Sequence, residues 1–437
     1  MHPGSDVINL PYPRRVVVET TTRCNLACAR CPKQSPGYGG SAPEPDADFP
    51  PGFFDRVIPA LAHAESLVLN GVGEPLLYPH LEALAAAAQA AMPAGALIGF
   101  QSNGQLLSDE RALSLARAGV NRVCVSIDAL DPELFGALRS GGSEAGAEAA
   151  LSALRRAREA GYPLRIGAEF VARRANLDEL PKVVERAAAL GADYVAVSQL
   201  FPYDEEAVAD AAWDPTLDLA WELLARYTHE AAAAGLDLAS YPRVYMKYTK
   251  SPEDLAVTRL VERMQDEAIA QGITLNVLRL FEADAGLRAR SAAAFAAAED
   301  AARRAGIELS LPAVSPRRQR SCEFVESGAV FISAAGSVHP CYFLWRRFNC
   351  YPGGWRQAVT PRSFGRLDDA ELPAIWDGNE YRRFRANVTR YDYPYCMNCN
   401  LALCDYVQEE DFFQDCHQNA EPCAACLWCQ GLFTCMT

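Results

Sequence analysis

Three cysteines stand within eight residues, as Cys24-x3-Cys28-x2-Cys31 in the stretch "TRCNLACARCP". Thiolates are soft ligands that select iron–sulfur clusters or zinc. A closed cluster or a structural zinc takes four protein ligands. The segment that follows, "KQSPGYGGSAPEPDADFPPG", contains neither Cys nor His. Three thiolates on a four-iron cluster leave one iron open for another molecule, which is what a catalytic cluster needs. The competing reading is a zinc loop completed by a distant ligand.

The chain has 437 residues, half of them hydrophobic, and 15 cysteines. No run of about 18 apolar residues is present, so no spanning helix is expected. The start, "MHPGSDVINLPYPRR", has no signal-peptide core, and a cytoplasmic protein is expected. Disulfides are rare in that compartment, so metal or redox chemistry is the better account of the cysteines. Eleven of them lie between Cys322 and Cys435, which points to a second metal-bearing region. The net charge of −14 argues against nucleic-acid or anionic-membrane partners, which need a basic face.

From Arg14 to Pro202, short β-rich runs alternate with Ala/Leu-rich helical runs. The expected strands are Arg14–Thr22, Ser66–Gly73, Leu97–Gly104, Arg122–Asp128, Leu164–Val171 and Tyr194–Pro202. Apolar strands alternating with helices read as a parallel sheet, and six such units fit an α/β partial (β/α)6, TIM-like barrel. Ligands of parallel α/β folds bind at the carboxyl ends of the strands. Those ends carry the cysteine trio, "GVGEP", "SNG", "SID", "AEF" and "SQLFPYDE". Residues 1–202 are therefore expected to form the barrel. Residues 203–312, mostly helical and Ala-rich, read as a linker or insertion suited to a lid or substrate wall. Three helix–Gly–apolar runs within it read as ordinary punctuation more than as a repeat. Residues 313–437 read as a small, irregular, metal-stapled domain.

The trio after "VVVETTTR", at the mouth of such a barrel, resembles the radical S-adenosylmethionine (SAM) superfamily. The resemblance implies a [4Fe-4S] cluster on Cys24, Cys28 and Cys31 whose open iron binds SAM, reductive cleavage of SAM to a 5′-deoxyadenosyl radical, and hydrogen abstraction from a substrate. It also implies a reductant such as flavodoxin or ferredoxin. Gly73-Glu74-Pro75 looks like the family's GGEP element, with Val72 where a Gly is common. Asn103 in "SNG", together with Ser126 and Asp128 in "SID", resembles its pocket-wall and ribose elements. Glu169 is a candidate for the ribose or the methionine moiety, with a structural ion pair as the alternative. Gln199 and Tyr203 are candidate lining residues. Arg30 stands where an aromatic residue is usual. The lone Cys124 reads as a buried thiol.

Cys322-x13-Gly336-x4-Cys341 resembles the opening of the SPASM extension, which carries auxiliary iron–sulfur clusters. Cys396-x2-Cys399-x4-Cys404 follows, one residue shorter than usual, with Gln408 where the next cysteine belongs; Cys416 is its candidate replacement. With Cys423, Cys426 and Cys435 these form the ligand pool for one or two auxiliary [4Fe-4S] clusters, and Cys350 and Cys429 are expected to be spare. By order, Cys322 and Cys341 share one cluster and Cys396, Cys399 and Cys404 the other. Zinc on a four-cysteine ribbon is the competing reading. The resemblance implies a peptide or protein substrate, modified by side-chain oxidation, crosslinking or epimerisation, or a partner metalloenzyme that is matured. A small molecule such as an amino sugar or lipid is the alternative, and a non-catalytic electron-transfer or interaction protein the third reading.

Overall fold

The computed structural model describes residues 7–35, 37–39, 45–401, 404 and 411–433; Cys435 of the expected ligand pool lies outside the described residues. The centre is a nine-stranded sheet in the order β7-β6-β5-β4-β3-β2-β1-β8-β9. Its strands are β1 (Arg15–Val18), β2 (Ser66–Val68), β3 (Leu97–Ser102), β4 (Arg122–Ser126), β5 (Arg165–Ala172), β6 (Tyr194–Gln199), β7 (Glu308–Ser310), β8 (Ala329–Ile332) and β9 (Val338–His339). Every pairing is parallel except β8 with β9. Val16, Val17 and Val18 are all buried, as expected when both faces of a parallel strand are covered. Helices Leu81–Ala91, Asp109–Arg117, Glu144–Glu159 and Leu180–Ala189 alternate with the strands. Ser108 and Ser143 start two of them by accepting the backbone N–H three residues on, which satisfies an otherwise unpaired donor.

The six expected strands are present but several end earlier. β1 stops at Val18, before Glu19, and β4 stops at Ser126, before Asp128. Past these points the Glu19 N–H still donates to Ile332 O (2.8 Å), while the side chains of Glu19 and Asp128 join neighbouring segments.

The sheet also draws strands from beyond residue 202, at 308–310, 329–332 and 338–339. Helix Ala285–Ala305 ends at Gly306, in the left-handed conformation (φ 68°), and β7 pairs with β6 through Tyr194↔Glu308. The last of the three helix–Gly–apolar runs is thus a seventh α/β unit. The other two become helices Tyr241–Met246 and Val277–Glu282. They belong to a separate helical core in which Leu223 and Tyr227 pack with Val257, Val261 and Met264. On the other edge β8 pairs with β1 through Val17↔Phe331, so the Cys-rich region extends the sheet instead of standing apart. The rest of that region holds the hairpin β10 (Phe348–Cys350) and β11 (Gln357–Val359) and helix Asn379–Val388. No described helix is long and apolar enough to cross a membrane.

Candidate active site

The loop after β1 carries the trio, and its neighbours on both sides fix it. Thr21 Oγ1 donates to Asp48 (2.6 Å), and Arg23 holds the same carboxylate with two donors (3.0 and 2.7 Å). The Ala27 N–H donates to Ser140 O (3.0 Å), so the loop between helices Pro132–Leu138 and Glu144–Glu159 clamps the cysteine loop. Cys24, Cys28 and Cys31 line one cavity of ≈ 360 Å³ with residues from the ends of β2 to β6. One cavity can collect so many strand ends only because the sheet curls into a partial barrel. Burial pushes the Cys28 thiol up and the Cys31 thiol up to about 11. Iron binds the thiolate, so loading such a site releases protons.

Gly73 lies against the backbone of this loop. A Cβ there would meet Thr21 O at 2.3 Å and Arg23 O at 2.5 Å, so only glycine fits. Glu74 is buried. Its Oε1 accepts from Ser102 Oγ (2.8 Å) and Leu76 N (3.2 Å), and its Oε2 accepts from Asn103 N (2.8 Å). The carboxylate thereby ties the end of β2 to the end of β3, with burial holding its pKa above the usual carboxylate value against these donors. Pro75 starts the short 3-10 turn that Glu74 caps. Asn103 Nδ2 donates to Asn25 Oδ1 (2.9 Å) and lies 3.9 Å from Cys24 Sγ.

Ser126, Asp128 and Glu169 face the same cavity. Asp128 is buried, accepting from Arg139 Nε (2.7 Å) and Val171 N (2.8 Å). Ser126 Oγ lies 3.4 Å from Glu169 Oε2. Burial raises the Glu169 carboxyl, opposed by the Arg139 charge. Gln199 and Tyr203 also line the cavity.

Sequence reasoning missed four contributors. Arg173 is buried and lines the cavity, with its guanidinium 3.7 Å from Asp210. Arg30 forms ion pairs with Glu206 (2.9 Å) and Asp204 (3.7 Å). The residue in the usual aromatic position thus fastens the cysteine loop to the acidic segment after β6. Glu19, fully buried, accepts from Arg346 (3.0 Å), Ala334 N (3.0 Å) and Val72 N (3.3 Å), bolting the C-terminal region to the barrel mouth. The fourth is an aromatic roof. Phe201 sits 5.3 Å from Trp428 and 5.7 Å from Phe433, and these rings border the cavity. An adjoining chamber of ≈ 280 Å³ adds Tyr342 and Trp345 to polar Asn70, Gln101 and Ser198. A charged residue directly after "VVV" was the available signal for Glu19; the others pair across distant loops.

The C-terminal cysteines fall into two groups. Cys396, Cys399, Cys404 and Cys416 line one cavity of ≈ 430 Å³. Cys322, Cys341 and Cys423 lie within electrostatic range of one another and of Cys429. Cys429, expected to be spare, also donates its thiol to the Cys426 carbonyl (3.1 Å) and so sits inside this second group. Cys350 is buried in the β10–β11 hairpin and Cys124 in β4. Among the described residues no three His, Cys, Asp or Glu side chains are drawn together to chelate a single ion. Three thiols stand at the barrel mouth, four around one cavity and five in the second group, and thiol donors are the type that suits iron–sulfur clusters.

Comparison with known proteins gives the class. The radical SAM superfamily profile matches residues 18–187, and the SPASM iron–sulfur cluster-binding domain matches residues 322–400. The chain is a radical SAM enzyme with a C-terminal SPASM domain; these domains imply a [4Fe-4S] cluster, SAM and auxiliary iron–sulfur clusters. It is 26% identical over 428 residues to the tungsten-containing aldehyde ferredoxin oxidoreductase cofactor-modifying protein of Pyrococcus furiosus, an alignment covering 96% of each chain. It is 31% identical over 215 residues to the PqqA peptide cyclase of Rhodopseudomonas palustris, covering 49% of this chain and 54% of that one. Among solved structures, Streptococcus suis SuiB bound to its precursor peptide SuiA aligns with a TM-score of 0.48 at 16% identity, over 94% of this chain and 76% of that one.

Proposed function

We propose that this radical SAM/SPASM enzyme abstracts hydrogen from a peptide or protein side chain held at the barrel mouth. The observation that carries the reading is the single cavity in which the three N-terminal cysteines, the polar strand ends and the aromatic roof meet. When bound there, the cluster on Cys24, Cys28 and Cys31 and its SAM supply a 5′-deoxyadenosyl radical. The remaining work falls to the chain. Backbone at Gly73 and the Glu74-ordered loop would hold the amino-acid end of SAM, with Asn103 on the cavity wall beside them. Ser126, Asp128 and Glu169 would offer hydroxyl and carboxylate oxygens to the ribose, and Arg139 pairs with the Asp128 carboxylate. Phe201, Trp428 and Phe433 exclude water from the reacting centre. The C-terminal cysteine groups would hold one or two auxiliary clusters, two in the arrangement of Cys groups seen here, and a flavodoxin- or ferredoxin-type protein would deliver electrons. The relationship to a peptide cyclase supports a peptide substrate.

A second reading has its own support. The relative aligned over 96% of both chains is named a cofactor-modifying protein, and the adjoining chamber is small and walled by aromatic rings, which suits a compact metabolite or cofactor. Reconstituted enzyme incubated with SAM, dithionite and fractions of a fully deuterated cell extract separates the two. Deuterium in 5′-deoxyadenosine from the peptide and protein fraction alone is expected; deuterium from the metabolite fraction alone overturns the peptide reading.

A further inference from the structure

Arg320 is buried between the two C-terminal cysteine groups. Its Nη1 donates to Cys423 O (3.1 Å) and its Nη2 to Pro394 O (2.7 Å). It thus joins the tail that carries one group to the segment that leads into the other. Its Nε is buried with no hydrogen-bond partner. No carboxylate of the described residues forms an ion pair with it; the rings of Tyr395 and Tyr393 lie 5.0 and 5.8 Å from its guanidinium carbon. Its side chain also reaches the Cys429 sulfur in the second group, and Pro394, its other carbonyl partner, stands two residues before Cys396.

An interior cation without a counter-charge is costly, and folds keep buried charges paired. With no carboxylate among its partners, the counter-charge left to this guanidinium is on the sulfur side. Thiolate-ligated four-iron clusters are anions whose negative charge grows on reduction, and nearby charge sets their potential. We propose that Arg320 is the shared counter-charge of the two auxiliary clusters and raises the reduction potential of both. The proposal rests on the auxiliary-cluster reading above. Arg317, three residues earlier and exposed, carries the same charge where water screens it, and serves as the control.

The test uses the full chain with Cys24, Cys28 and Cys31 replaced by Ala, so that only auxiliary clusters contribute to an EPR-monitored redox titration. In this background Arg320→Gln is expected to lower the reduced-to-oxidised ratio of both clusters about tenfold at fixed potential, about 59 mV for a one-electron couple. Arg320→Lys retains most of the parent potential and Arg317→Gln all of it. Unmoved potentials in Arg320→Gln with iron and sulfide retained overturn the proposal, as does movement of one couple only. If Arg320→Gln loses its iron, Arg320→Lys decides: iron held near the parent potential supports the counter-charge, and iron lost there too overturns it. A parent with fewer than two auxiliary clusters overturns the cluster reading itself, before any Arg320 variant is compared, and this proposal with it.

Discussion

Glu74 and Asp128 both stand at strand ends facing the cavity, yet they spend their carboxylates differently. Glu74 accepts from three donors of its own chain, so its main effect is to shape the loop that Gly73 belongs to. Asp128 neutralises the buried Arg139 guanidinium. Asp128→Ala takes away the carboxylate that this cation hydrogen-bonds, and a loss of about 3 kcal/mol in chemical denaturation is expected, with weakened SAM binding in equilibrium dialysis. Gly73→Ala forces a Cβ onto Thr21 and Arg23 carbonyls; loss of the N-terminal cluster's iron with the far-UV circular dichroism retained is expected. At this scale the chemistry-bearing types were legible. The trio's spacing and the recurrence of polar residues after apolar runs pointed to the residues that now share one cavity. Arg30 with Glu206, and Arg173 with Asp210, were not legible, because each pair spans loops far apart in sequence and neither partner has a distinctive local pattern.

At the scale of elements, the polar run after β1 is the hinge of the architecture. Glu19 receives donors from the β2 loop and from two points of the C-terminal region. Glu19→Ala removes the carboxylate that accepts from Arg346, whose guanidinium overlies the rings of Trp345 and Tyr38. Faster amide exchange across residues 329–346 is expected, with exchange in β3 to β5 unchanged. The six barrel strands were legible because "RRVVV" and "RVCVS" are apolar on both faces and punctuated by Gly and Asp. β8 was not, since "AVFI" is four residues long and lies among Cys, Pro and aromatic residues that suggest irregular structure. β7 was hidden for a related reason. "AARRAGIELSLP" has the same helix–Gly–apolar form as two runs that fold as helices, and only pairing with β6 separates them. Local pattern cannot report which edge of a sheet remains open.

For the molecule as a whole, the placement of β8 and β9 makes the C-terminal region a continuation of the barrel. Its aromatic tail then roofs the mouth, with Trp428 and Phe433 packed on Phe201. Three cysteine groups follow from this arrangement, and about twelve iron and twelve sulfide per chain are expected on full reconstitution, as three four-iron clusters require. Replacing Cys429 by Ala is expected to remove iron from the second C-terminal group, whereas Cys350→Ala leaves the count unchanged. In the proposed function the N-terminal trio holds the iron at which SAM is cleaved. The most direct test is 5′-deoxyadenosine release from the anaerobically reconstituted chain given SAM and dithionite. Release by the wild type, and none by the Cys24, Cys28 and Cys31 to Ala variant that still retains its auxiliary iron, is the expected result. Equal release by that variant would contradict the account.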